Sequence, residues 1–62
     1  MAFHENLTRR RKALGLSQEE LAAQIGVSRQ AVSKWERGLC APDISLLESL
    51  AETLGVSILE LN

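Results

Sequence analysis

The stretch Gln18 to Arg37, QEELAAQIGVSRQAVSKWER, predicts the fold of this chain, because it reads as two short helices joined by a tight turn. Ser17 directly before it is a favourable N-cap, and Glu20 stands three residues later, which is the spacing of a capping box. Gly26 follows the last apolar residue of the first helix, where a helix stop favours a residue that tolerates positive φ. Ser28 can then cap the second helix.

Each of the two predicted helices has one apolar face. Leu21, Ala22 and Ile25 lie on one side of the first helix, and Val32 and Trp35 share a side of the second. A three-residue turn brings such helices together at a steep angle, and Ala22 is small enough to permit a close crossing. The polar side chains of the second helix point away from this contact and can form hydrogen bonds elsewhere: Arg29, Gln30, Ser33 and Lys34.

These residues resemble the Cro and lambda-repressor type of helix-turn-helix, also called XRE-like. The family pattern of apolar, small and glycine positions is filled at every place by Leu21, Ala22, Ile25, Gly26, Val27, Val32 and Trp35. The phrases GLSQEELA and VSKWERG are also typical of the family, and the resemblance covers nearly the whole chain. It implies an all-α, compact bundle of about five short helices, with residues 1–62 forming a single helix-turn-helix DNA-binding domain. An αα-hairpin that only packs is the alternative interpretation.

The resemblance also implies where DNA is read. The helix Ser28–Arg37 is the recognition helix, and the family's base-reading positions fall on Arg29, Gln30, Ser33 and Lys34. Arginine suits the O6 and N7 atoms of guanine, and glutamine suits N6 and N7 of adenine.

Further contacts are expected with phosphates. Gln18 falls on the family's phosphate-clamping position, at a helix start where backbone amides favour an anion. Ser28 and Arg37 are further candidates for phosphate contacts. We expect these side chains to face solvent in the free protein.

Two other residues acquire structural roles by the same resemblance. Arg11, just before GLSQ, is expected to pair with Glu36 and so to lock the first helix onto the recognition helix. Trp35 is expected in the core beside Val32 rather than against a base.

The segments on either side are also helical by pattern. Residues 3–14 predict a first helix with Phe3, Leu7 and Leu14 on one face and Gly15 at its end. Residues 39–42 predict a loop, after which Asp43 caps a helix that ends at Gly55. The apolar stripe of that helix is expected at Ile44, Leu47, Ala51 and Leu54, widened by Leu46 and Leu50.

The chain ends with more apolar residues than a core of this size readily uses. Ser57 can cap a final turn that carries Ile58, Leu59 and Leu61. Part of this surplus completes the core, and we expect the rest to form a homodimer surface through these C-terminal residues.

The net charge of −1 argues against a nucleic-acid partner, but its distribution argues for one. Residues 1–38 carry seven basic and four acidic side chains, a balance of +3, whereas residues 39–62 carry four acidic and no basic ones. Such asymmetry predicts a basic working face.

No apolar run exceeds three residues, so neither a membrane span nor a signal peptide is expected. The predicted location is the cytoplasm, with nucleoid association when bound to DNA.

Nothing in the sequence indicates catalysis, a cofactor or a metal. His4 and Cys40 supply at most two metal ligands, and there is no CxxC motif and no glycine-rich phosphate loop. Cys40 is interpreted as a small loop residue rather than a redox sensor. The predicted function is sequence-specific binding of double-stranded DNA by a prokaryotic or phage transcriptional regulator. A repressor is predicted in preference to an activator. The alternative is an antitoxin-like protein-interaction module.

Overall fold

A computed structural model describes residues 2–61, and these residues form five helices joined by short turns and loops. The helices are α1 (Phe3–Ala13), α2 (Gln18–Ile25), α3 (Arg29–Glu36), α4 (Ile44–Leu54) and α5 (Ile58–Leu61). Helix α2 packs across α3, α1 also contacts α3, and α5 packs against both α1 and α4. The fold is all-α within the described residues, as predicted.

The predicted caps form the helix boundaries. The Ser17 hydroxyl accepts from the Glu20 N–H at 2.9 Å, and Glu20 Oε1 accepts from the Ser17 N–H at 2.8 Å, which completes a capping box. Ser28 caps α3 by accepting from Ala31 N–H at 3.2 Å. Asp43 caps α4 by accepting from the Leu46 N–H at 2.9 Å.

Gly26 makes the turn between α2 and α3. Its φ of +75° lies in the left-handed region, where a side chain at Cβ is unfavourable. The next N–H, of Val27, donates to the Ala22 carbonyl oxygen at 3.0 Å and so closes the end of α2. The chain can therefore leave α2 and enter the Ser28 cap of α3 without leaving those terminal groups unpaired.

The core lies where the five helices meet. Its buried side chains come from every helix and include the small residues that permit close packing: Leu7, Leu21, Ala22, Val32, Trp35, Leu50, Ala51, Leu54 and Leu61. Trp35 is buried, which confirms that it belongs to the core. Phe3, Ile25 and Val27 pack against the edge of this cluster.

Three apolar residues differ from the expected pattern. Leu14 caps the end of α1 instead of extending its buried face, and 49% of it is exposed. Ile44 is 75% exposed, so the stripe predicted to begin there begins at Leu47 and is centred on Leu50. Leu61 is fully buried and belongs to the core, so its assignment to a dimer surface was wrong.

The final turn is fastened to the first helix. Asn6 is a buried polar residue on α1, and its Nδ2 donates to the Leu61 carbonyl oxygen at 3.4 Å. Its Oδ1 accepts from Arg9 Nη2 at 2.9 Å. Ser57 opens α5, and its N–H donates to Glu60 Oε2 at 2.9 Å. The bond from Asn6 to Leu61 joins the end of α5 to α1, while the other two bonds order the ends that it connects.

Candidate nucleic-acid interface

The helical spacing of apolar and polar residues divides α3 into a buried face and an exposed face. Val32 and Trp35 point into the core, and the intervening polar residues are left outside. Arg29, Gln30 and Lys34 are exposed, and Ser33 is half-buried. The four residues predicted to read bases therefore share one side of one anchored helix.

A shallow groove of about 440 Å³ lies between α2 and the start of α3. Ala22, Ala23 and Val27 supply apolar surface, and Arg29 and Gln30 stand at its polar border. Glu19 also lines this groove, a position that the sequence analysis did not consider. The available signal was its place next to Gln18 in the first turn of α2, the helix that crosses α3.

The buried ion pair between Arg11 and Glu36 joins α1 to the end of α3, as predicted. Arg11 Nε donates to Glu36 Oε2 at 2.6 Å and Arg11 Nη2 donates to Oε1 at 3.0 Å, a two-pronged contact. Only 10% of the Arg11 side chain and 6% of the Glu36 side chain are exposed. Arg11 Nη1 also donates to the Leu16 carbonyl oxygen at 2.7 Å, which adds the α1–α2 loop to the contact.

The protonation of Glu36 follows from these donors. Burial by itself raises the pKa of its carboxyl group, but hydrogen bonds from Arg11 and Gln18, together with the charge of Arg11, outweigh burial and lower the pKa. The pKa of Arg11 is raised, chiefly by its hydrogen bond to Glu36. Both groups are therefore charged at neutral pH.

Gln18 does not point freely into solvent, contrary to expectation. It is half-buried, and its Nε2 donates to Glu36 Oε1 at 3.0 Å. The crossing of α2 over α3 brings the first residue of α2 beside the last residue of α3, which sequence spacing alone does not reveal. Gln18 consequently stands both at the free amides of a helix start and against a carboxylate.

The two other phosphate candidates lie at opposite ends of α3. Ser28 is exposed, although its hydroxyl oxygen is already used as the N-cap acceptor. Arg37 is exposed at the C-cap, where its Nε donates to the Ser33 carbonyl oxygen at 3.4 Å. Both residues are therefore accessible from solvent.

Other features of the described part of the chain point to no second site. Cys40 is exposed and unpaired by any disulfide. Within residues 2–61 no three potential metal-ligating side chains gather into a cluster. None of the helices in that range has the length and apolar character needed to cross a membrane.

Comparison with known proteins places this geometry in a family. The helix-turn-helix family model matches residues 7–61. The chain is 43% identical over 61 residues to the HTH-type transcriptional activator BcrR of Enterococcus faecalis, covering 98% of this chain and 30% of the activator. It is 46% identical over 56 residues to the HTH-type transcriptional regulator y4dJ of Sinorhizobium fredii, covering 90% of this chain and 73% of that regulator.

Solved structures agree with the sequence comparisons. The P22 c2 repressor protein, in complex with a synthetic operator, superposes with a TM-score of 0.95 at 34% identity, covering 98% of this chain and 92% of the repressor chain. The chain spans less than a third of the length of the activator, so the comparisons concern the domain that the two share. On the family match, the identity and the superposition, the chain belongs to the XRE-type helix-turn-helix family, with the fold of a Cro-like or c2-like repressor domain.

Proposed function

We propose that this chain is a sequence-specific DNA-binding domain of a transcriptional regulator. The observation that carries the proposal is the division of α3 into a buried face, Val32 and Trp35, and an outward polar face on a fold that matches an operator-bound repressor. A helix of this kind fits the major groove, whose base edges differ for each base pair. The unit proposed for this role is residues 1–62.

In this proposal one set of side chains contacts bases and another set contacts phosphates. Arg29 and Gln30 stand at the N-terminal end of the helix, which reaches deepest into the groove, and Ser33 and Lys34 follow one turn later. Gln18, Ser28 and Arg37 contact phosphates and fix the orientation of the helix on the duplex. The proposed role is therefore binding rather than catalysis.

The proposed sign of regulation is repression. The c2 protein is a repressor, whereas BcrR is an activator, and the shared domain is compatible with either. A helix-turn-helix that occupies an operator excludes other proteins from it without a further domain, so repression requires the fewest additional parts. The proposed location is the cytoplasm, in association with the nucleoid.

A homodimer remains part of the proposal with a revised surface. Leu59 is 82% exposed and Ile58 is half-buried, so these two residues of α5 can meet a second copy. A two-fold axis there would place two recognition helices about 34 Å apart, one turn of the duplex. The preferred site is then an imperfect palindrome.

The antitoxin-like alternative is retained because of the charge distribution. Residues 39–62 carry four acidic side chains and no basic ones, and such a surface can contact a protein partner. DNA binding that weakens steeply with salt favours the regulator. Binding to a partner protein without binding to any duplex would favour the module.

The test is selection of bound sequences from a random duplex pool, followed by affinity measurements at fixed salt. Arg29→Ala and Gln30→Ala should each weaken the selected site by about 1–3 kcal/mol and relax one base position. Gln24→Ala is the matched control, since Gln24 is exposed on α2 and does not line the groove. Equal binding of the selected site by parent and Arg29→Ala would refute the placement of the reading face.

A further inference from the structure

The Glu36 carboxylate connects three helices through its two oxygen atoms. Oε2 accepts from Arg11 Nε, while Oε1 accepts both from Arg11 Nη2 at 3.0 Å and from Gln18 Nε2 at 3.0 Å. Gln18 is thus held by the same buried oxygen that holds α1 to α3. A glutamine side chain surrounded by solvent has no such fixed partner.

The chemistry of this contact determines which end of the Gln18 amide faces inward. An ionised carboxylate only accepts hydrogen bonds, whereas a glutamine amide carries an acceptor oxygen and a donor NH2 group. The amide oxygen turned toward Glu36 would place two acceptors in contact. Only the orientation with Nε2 against Glu36 is therefore favourable, and the group is prevented from rotating between its two presentations.

The second N–H of the same nitrogen is left available. Because the amide is planar, fixing one N–H also fixes the direction of the other. Gln18 is the first residue of α2, where the first backbone N–H groups have no partner within the helix. A donor held there adds to a group of N–H donors suited to one phosphate oxygen.

We propose that Glu36 is a positioning residue for phosphate recognition, which orients the Gln18 amide so that its second N–H is presented to the DNA backbone. The inference rests on the proposed phosphate contact of Gln18. Arg11 has a part in it, because its guanidinium cancels the charge that Glu36 would otherwise direct at a phosphate. The ion pair then prepares the DNA-facing surface before DNA arrives, in addition to joining helices.

The test is a double-mutant cycle on DNA affinity in two backgrounds. The second background carries Arg11→Met with Glu36→Leu, because replacing both members of a buried ion pair by apolar side chains of similar size is tolerated better than removing one. The replacement removes one positive and one negative charge, so the net charge and the long-range attraction to DNA are preserved. Gln18→Ala and Arg29→Ala are then measured in both backgrounds on the selected duplex.

In the parent, Gln18→Ala should weaken binding about tenfold, the loss expected for one hydrogen bond to a charged group. In the pair-replaced background the same substitution should cost less than about twofold, because the amide is no longer held in its presenting orientation. Arg29→Ala should cost the same in both backgrounds. A cost of Gln18→Ala that is equal in both backgrounds overturns the positioning role while leaving DNA binding intact.

Two other outcomes also overturn the inference and are distinguishable from each other. If Arg29→Ala loses its effect in the second background as well, the pair acts only by holding the fold. If Gln18→Ala leaves the DNA affinity of the parent unchanged while Arg29→Ala still weakens it, the phosphate contact of Gln18 is refuted. The proposed role of α3 in reading DNA is then not refuted.

Side-chain NMR relaxation of the unaltered protein provides a second measurement that does not depend on the variants. The Gln18 amide group should have an order parameter above about 0.6, outside the range of flexible groups, whereas the exposed Gln24 amide should fall below it. Equal mobility of the two amides in the free protein would overturn the proposal even where the pair-replaced chain fails to fold.

Discussion

Removing either member of the Arg11–Glu36 pair should destabilise the fold by a large part of its total stability. A chain of 62 residues has a free energy of unfolding of about 3–9 kcal/mol at the usual value per residue. Breaking a buried ion pair by removing one partner costs about 3–5 kcal/mol. The slight exposure of both side chains reduces this expectation to about 2–4 kcal/mol.

The two truncations should be of similar size. Arg11→Ala removes both bonds to Glu36 and the bond to the Leu16 carbonyl oxygen, but it leaves the bond from Gln18 to Glu36 in place. Glu36→Ala removes the same two bonds and the bond from Gln18, but it leaves Arg11 bonded to the Leu16 carbonyl oxygen. Each variant therefore loses three hydrogen bonds and leaves one for the stranded charge.

The double variant should lose about 1–2 kcal/mol less than the sum of the single losses, because neither charge is then left buried alone. Urea unfolding followed by circular dichroism near 10 °C gives each free energy while the weakest variant still folds. Ser17→Ala combined with Asp43→Ala, which remove the N-caps of two different helices, calibrates the additivity of the assay. Losses that add within about 0.5 kcal/mol for the charged pair would refute the argument.

Four further outcomes are expected. In urea titrations below pH 4.5, acid should destabilise the parent more than the Glu36→Gln variant. Folding lowers the pKa of Glu36 from 4.5, so the stability contributed by its ionised carboxylate is complete above pH 4.5. That stability is lost as the pH falls through the pKa of Glu36 in the folded protein. An equal loss in both proteins would contradict this. Gly26→Ala should cost about 1–2 kcal/mol in thermal melts purely through the backbone, since no atom lies within 4 Å of the added Cβ. Leu61→Ala should cost about 2–5 kcal/mol because it empties part of the core, and a loss near zero would mean that α5 does not pack as described. Leu59→Glu should leave the unfolding free energy nearly unchanged and abolish self-association in sedimentation, and a parent that sediments as a monomer would refute the dimer.

Local features were predictable because they depend on neighbours in sequence. The Ser17 and Asp43 caps and the Gly26 turn each require two or three adjacent residues of the right type, and all are present. Trp35 was assigned correctly because its spacing from Val32 leaves it only the buried face.

The errors concern how far a partner surface extends. Periodicity assigns Leu14 and Ile44 to apolar faces, but it does not say whether another part of the chain covers them, and both are exposed. Leu61 was misplaced for the converse reason, since a short final turn carries too little pattern to show that it folds back onto α1. Burial at helix ends is decided by tertiary packing, which a single sequence does not record.

The site divides in the same way. The proposed reading positions, from Arg29 to Lys34, follow from the helical period and from family resemblance, and the structure has these side chains on the outer side of α3. The bond between Gln18 and Glu36 joins residues far apart in sequence and depends on the angle at which α2 crosses α3. No spacing rule anticipates a contact of that kind.

The bond between Asn6 and the Leu61 carbonyl has a consequence for the order in which the protein is assembled. The first helix is synthesised before the other four, but its buried face is completed by a residue 55 positions later in the chain. At about 5–20 residues per second, Leu7 waits roughly 3–11 seconds for Leu61. For that interval the apolar surface of α1 that Leu61 covers in the finished domain lacks its cover from α5.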